Sequence, residues 1–248
     1  MSSIEDAWKR ILIRIREHGH IHRKDDSEIK EVIDVHRYIE NPMNNTISPE
    51  LGIKLEPSDS SEYIHSISLG NYDIKGYPMK GEALAEYIDS IHKPKLQGFV
   101  YTYPNRLLEH FCHNDGNSGL IINQLDVCLD RLKKNLGSNR AVAVLLDPDV
   151  DSYELDSTNK LVDDIPCWNW VQFLVRDNEL NMHVQFRSND IYNAFPANMM
   201  LLTYIGMLFT EKLNKTYPDV KFKGIYYNAT SAHYYTDVVN DEMLKEVI

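Results

Sequence analysis

Apolar residues recur at helical spacing at the start of the chain: Ile4, Trp8, Ile11, Leu12 and Ile15. This is the one-sided stripe of an amphipathic helix. Ser3 and Asp6 have the spacing of a capping box, and Gly19 offers a stop. Residues 31–40 (EVIDVHRYIE) predict a strand closed by Asn41-Pro42. Residues 43–76 are polar and rich in Ser, Asn, Asp and Gly. They predict a long irregular loop region, a lid or an insertion. A helix is expected over roughly Met79–Ser90 and another from about Gly119 to Leu136. The second carries Ile121, Leu125, Cys128 and Leu132 as its stripe and stops at Gly137. The run 141–146 (AVAVLL) is short and continuous, the pattern of a buried strand. Segments 168–176 and 180–187 predict a hairpin around Asp177-Asn178-Glu179, with Leu180, Met182, Val184 and Phe186 alternating. Residues 197–213 are apolar nearly all round, which predicts a buried central helix. Strands near 220–228 and 231–235 finish the chain. No repeat, low-complexity tract or interdomain linker interrupts this order. The expected architecture is one α+β domain over residues 1–248, its mixed β-sheet packed by helices.

Composition narrows the function. The chain has 248 residues, 43% hydrophobic and 25% charged, which allows a sizeable core. A net charge of −11 argues against a nucleic-acid polymer as partner. It leaves room for a small anion held by a few arginines. The three cysteines, Cys112, Cys128 and Cys167, form no CxxC pair, so neither a zinc site nor a disulfide framework is expected. The N-terminus has no signal-peptide pattern, and the apolar run around Met199–Phe209 is about half of the ~20 residues a membrane span requires. A cytoplasmic protein without membrane attachment is expected.

Several polar residues interrupt segments that otherwise read as buried, where burial without partners is costly. Cys167 follows Pro166 at the mouth of a strand. It is either a structural thiol or a nucleophile at a strand end. Arg187 and Ser188 match the donors a phosphate needs; the alternative for Arg187 is an internal ion pair with Asp190 or another acid. Asn198 opens the buried helix, as an N-cap or as an amide that pairs with a base edge. His233 and Tyr235 alternate on one side of a strand, either simply packed there or able to hold sugar hydroxyls. Arg140 is a solvated loop arginine or a phosphate ligand reaching a partner subunit. The cluster His18, His20, His22 reads as a solvated turn rather than a metal site.

Taken in order, Pro166-Cys167, Gln172-Phe173, Arg187-Ser188-x-Asp190, Pro196-x-Asn198 and His233-x-Tyr235 resemble the thymidylate synthase superfamily, which includes the pyrimidine-nucleotide hydroxymethylases. The resemblance covers roughly residues 99–235; Ala7-Trp8, Gly19, Arg23 and Asn41-Pro42 match loosely. It implies a thymidylate synthase-like fold and a sheet-mediated homodimer. It implies addition of the Cys167 thiolate to C6 of a pyrimidine nucleoside monophosphate, with 5,10-methylenetetrahydrofolate as one-carbon co-substrate and no metal. By the same resemblance, Arg187 and Ser188 serve the 5′-phosphate, Arg140 reaches it across the dimer, and Arg23 is a substrate-binding residue. Arg187 would also help keep the sulfur ionised. Asp190 is implied at folate and C5, Asn198 at the base, His233 and Tyr235 at the 3′-hydroxyl, and Tyr103 as proton relay. A catalytic acid is expected on the helix near residue 84, with Glu82 and Glu86 as candidates.

The chain departs from the pattern at four places. Trp168 follows the nucleophile where His is usual, Asn139 stands where a second arginine is usual, Ser231 replaces an acid two residues before His233, and only 13 residues follow Tyr235. Asn198 favours uracil over cytosine, because an amide matches O4 and N3–H. The expected reaction is therefore dUMP to dTMP. A hydroxymethylase acting on dUMP, dCMP or CMP is the alternative, and a non-catalytic nucleotide-binding homologue is a second.

Overall fold

The computed structural model describes residues 3–24, 26–43, 57–72, 74–94, 101–112, 120–151 and 165–248. Helix α1 (Ile4–His18) begins at Ser3, whose side chain accepts from the Asp6 amide while the Asp6 carboxylate accepts from the Ser3 amide. Its buried stripe is Ile4, Ala7, Trp8, Ile11, Leu12 and Ile15, and the Gly19 amide donates to Ile15 O at 2.8 Å. Strands β1 (His20–Lys24) and β2 (Ser27–Glu40) form a hairpin. Only its second strand was expected, since exposed HIHRK carries no apolar alternation.

Residues 60–68 depart from the expected irregular region. They form helix α2 (Ser60–Ser68), capped by Asp59 and burying Tyr63 and Ile67. Two buried apolar residues and a polar surface give too faint a period to read through so many serines. The first part of that region, 44–56, lies outside the described residues. Helix α3 (Gly81–Asp89) buries Leu84, Ala85 and Ile88, as expected. Helix α4 (Tyr103–Leu108) follows. The single helix expected over Gly119–Leu136 is instead two elements. Leu120–Ile122 is strand β4, paired with β3 (His110–Cys112), and α5 (Gln124–Lys134) starts afterwards at an Asn123 cap.

Strand β5 (Val142–Val144) and helix α6 (Pro148–Asp151) precede the central hairpin of β6 (Trp168–Arg176) and β7 (Glu179–Asp190). Asp177 and Asn178 both have positive φ, 51° and 60°, the two-residue turn that matches strand twist. Helix α7 (Phe195–Asn214) is buried nearly all round and carries the chain over the sheet to β8 (Lys221–Tyr235). Because of that crossover, β8 pairs with β7 in parallel. Gly206 lets α7 approach β8 closely: a Cβ there would meet the Phe222 ring at 2.5 Å. The last segment read as two strands but is one, and helix α8 (Asp241–Val247) follows it. The six-stranded order is β1-β2-β8-β7-β6-β5, antiparallel apart from β7 and β8. The expected mixed sheet packed by helices is thus present.

The turn between β7 and α7 is held from within and from outside. Asp190 accepts from the amides of Tyr192 and Asn193 (both 3.1 Å) and from Asn193 Nδ2 (2.8 Å). Trp8 Nε1 donates to Ile191 O at 2.6 Å and Tyr77 Oη to Asn193 O at 2.8 Å. The rings of Trp8 and Tyr77 meet edge-on at 5.7 Å. Trp8→Phe keeps an apolar ring but strands a buried carbonyl, and is expected to lower unfolding free energy by about 1–3 kcal/mol, measured by urea denaturation.

Candidate active site

Cys167 lies half-buried just before β6. Its carbonyl accepts from the Arg187 amide at 2.9 Å, which fixes Cys167 beside the end of strand β7. The Arg187 guanidinium donates to Ile165 O (2.6 Å) and Pro166 O (3.2 Å), and its Nη2 stands 4.0 Å from Cys167 Sγ. The cation is therefore tied to the backbone immediately preceding the thiol. Ser188, the next residue of β7, is buried.

Two phenols from the helices lie near enough to Cys167 to feel its charge. Burial holds Tyr103 far above the usual phenol range, with the charges of Tyr87 and Cys167 adding to the effect. Burial likewise raises Tyr87, again with Tyr77, Tyr101 and Cys167 nearby. The Tyr103 ring meets Trp168 edge-on at 5.4 Å. Trp168 itself is core: it is buried, lies parallel to Phe186, and donates its Nε1 to Trp170 O at 3.0 Å.

Asn198 is not the N-cap of α7; the helix begins three residues earlier, at Phe195. Its Oδ1 accepts from Tyr87 Oη at 2.7 Å, its Nδ2 points to Asn189 Oδ1 at 3.5 Å, and Asn189 Nδ2 donates to Tyr227 Oη at 3.0 Å. Neither Tyr87, Asn189 nor Tyr227 was expected at the site. Tyr87 shares the apolar face of α3 with Leu84 and Ile88, so in sequence it reads as packing. Asn189 and Tyr227 belong to different strands that only pairing brings together.

The parallel register places Ser188 beside Ser231 and Asp190 beside His233. Burial pushes the His233 imidazole down to about 4, helped by Lys24, His22 and Arg187. The Asp190 carboxyl is raised by burial, against the opposing pull of its three hydrogen bonds. The rings of His233 and Tyr235 meet edge-on at 5.4 Å. Arg23, on β1, is exposed near this end of the sheet.

Residues 87–247 match the thymidylate synthase family. The chain belongs to this family. Among its relatives, a protein named "Putative thymidylate synthase" from Methanothermobacter thermautotrophicus is 30% identical over 250 residues, covering all of this chain and 96% of the relative. The protein of the same name from Methanothermobacter marburgensis is 29% identical over 252 residues with the same coverage. That of Methanocaldococcus jannaschii is 32% identical over 162 residues, 65% of this chain and 67% of the relative. The family is one of one-carbon transferases and generally uses methylenetetrahydrofolate.

Of the expected residues, Arg187 and Tyr103 lie near Cys167, Asn198 is linked to them through Tyr87, and Ser188, Asp190, His233 and Tyr235 stand at the paired ends of β7 and β8. The structure does not bring Glu82 or Glu86 there. Both are exposed and line a surface depression with Ser61, His65 and Asp89; the residue of that helix that bonds to Asn198 is Tyr87. Arg140 is also apart. It precedes β5, whose Val142 pairs with Gln172, so it sits about seven residues, roughly 20 Å, along the sheet from Cys167. The predicted turn for His20 and His22 is instead exposed strand β1. Among the described residues no three His, Cys, Asp or Glu side chains gather as metal ligands, and no helix is long and apolar enough to cross a membrane.

The depressed His233 has a measurable consequence. Its neutral form is favoured in the fold, so the stabilisation is complete above the unfolded value near 6.5. It is lost as pH falls toward 4, by about 3 kcal/mol at pH 4. Urea denaturation between pH 7 and 4 is expected to show a shallower loss for His233→Gln than for the wild-type protein.

Proposed function

We propose that this protein transfers a one-carbon unit from 5,10-methylenetetrahydrofolate to C5 of dUMP, giving dTMP. The observation that carries the reading is the Cys167 thiol with the Arg187 guanidinium 4.0 Å away, across from the Asn198 amide. A cation at that distance favours negative charge on sulfur. The thiolate adds to C6 of the pyrimidine, and C5 becomes a carbon nucleophile.

Arg187 and Ser188 hold the 5′-phosphate with Arg23, and Asn198 reads the base. The Tyr87 hydroxyl holds one lone pair of Asn198 Oδ1, leaving the amide both an acceptor and a donor for N3–H and O4 of uracil. Tyr103 relays protons near C5, a role its burial suits by keeping the phenol protonated. Asp190 has the chemistry to accept from ring N–H groups of a pterin, since each carboxylate oxygen has more than one acceptor site. When bound, methylenetetrahydrofolate supplies the carbon and the hydride. His233 and Tyr235 take the 3′-hydroxyl. With Arg140 distant from Cys167 of its own chain, its phosphate role requires a homodimer that delivers it in trans.

Cys167→Ser is expected to lower turnover by about a thousandfold or more while nucleotide binding persists, measured by tritium release from 5-tritiated dUMP. Unchanged turnover would discard the covalent mechanism. Mass spectrometry of the product is expected to show a gain of CH2; a gain of CH2O would make the enzyme a hydroxymethylase. Asn198→Asp should move binding preference from dUMP toward dCMP in isothermal titration, by about tenfold.

A further inference from the structure

Where Ser231 replaces an expected acid, the fold brings a carboxylate from another strand. Glu31 on β2 stands directly opposite His233 on β8, so the two side chains leave the same face of the sheet. The Glu31 side chain is 16% exposed, and His22 Nε2 approaches its Oε2 at 3.7 Å. Its Oε1 is bonded to Ser231 Oγ.

The direction of these bonds is forced. A carboxylate can only accept, so the Ser231 hydroxyl donates its single proton to Glu31. The serine oxygen is then left as acceptor toward His233 Nδ1, 3.4 Å away. Burial keeps that imidazole neutral, and a neutral ring has one N–H. With the proton on Nδ1, the Nε2 lone pair is the group offered to a ligand. Tyr235 is constrained in the same way. Lys24 Nζ is 3.4 Å from its hydroxyl oxygen. An ammonium only donates, so the tyrosine proton is directed elsewhere.

We propose that Glu31, acting through Ser231, is a positioning residue that makes His233 a hydrogen-bond acceptor, and that Lys24 makes Tyr235 the matching donor. The pair is then complementary to a substrate hydroxyl, which donates to His233 Nε2 and accepts from Tyr235. The identity of that group as the sugar 3′-hydroxyl rests on the function proposed above.

Two measurements test this, and the first needs no ligand. Long-range 15N–1H correlation of histidine-labelled protein at pH 7, with His233 identified by its loss in H233Q, is expected to show the Nδ1–H tautomer. Glu31→Ala frees the Ser231 proton to turn toward the ring and should shift His233 toward Nε2–H. Glu31→Gln, whose carbonyl still accepts from Ser231, should retain Nδ1–H. An Nε2–H tautomer in the wild-type protein, or no change in E31A, overturns the assignment.

The second is isothermal titration with dUMP and its 3′-deoxy analogue. The wild-type protein is expected to prefer dUMP by about tenfold or more. E31A should lose most of that preference while binding the 3′-deoxy analogue unchanged. Full discrimination in E31A defeats the role of Glu31 and leaves the nucleotide reading standing. Binding of neither nucleotide by the wild-type protein defeats the nucleotide reading, and with it the hydroxyl-reading role.

Discussion

The parallel pairing of β7 with β8 is the constraint on which the site depends. It exists because α7, apolar nearly all round, must be buried against the sheet and so carries the chain back to the far end of β7. The resulting register sets Ser188 beside Ser231 and Asp190 beside His233. A shift of one residue would turn Phe186 out of the core and point Ser188 and Asp190 to the opposite face. The hydrophobic alternation of β7 therefore fixes the polar end as firmly as it fixes the core.

The turn that joins β7 to α7 shows how function and structure share residues. Asp190 takes three hydrogen bonds from the turn it begins, and Trp8 and Tyr77 brace the same turn from outside. Asn198 lies one helical turn further on and inherits its position from this bracing. The carboxylate is buried enough for its charge to be disfavoured, yet the turn requires an acceptor there. A residue held in this way can meet a ligand with little reorganisation.

Two substitutions within the family pattern are answered by tertiary structure. Trp168 fills the space beside the thiol as part of the core, against Tyr103 and Phe186. The Ser231 hydroxyl carries no charge, and Glu31 supplies one from the neighbouring strand. On α3 it is Tyr87 that bonds to Asn198, while Glu82 and Glu86 are exposed at a surface depression.

The sequence by itself determined the elements with strong periods: α1, β2, α3, β6, β7 and α7. It also marked Arg187, Ser188, Asp190, Asn198, His233 and Tyr235 as candidates, because they are polar groups in or beside segments that read as buried, and Cys167 as a thiol at the mouth of a strand. Weakly patterned elements were not legible. Helix α2 buries few apolar residues among serines, and Leu120–Ile122 reads as the first turn of a helix until its partner strand is known. Only the tertiary structure decided what each polar group touches. Tyr87, Asn189, Tyr227 and Glu31 reach the site through strand pairing and helix packing between residues distant in the chain. Local periodicity reports which face of an element is buried. It carries no information about which other element covers that face.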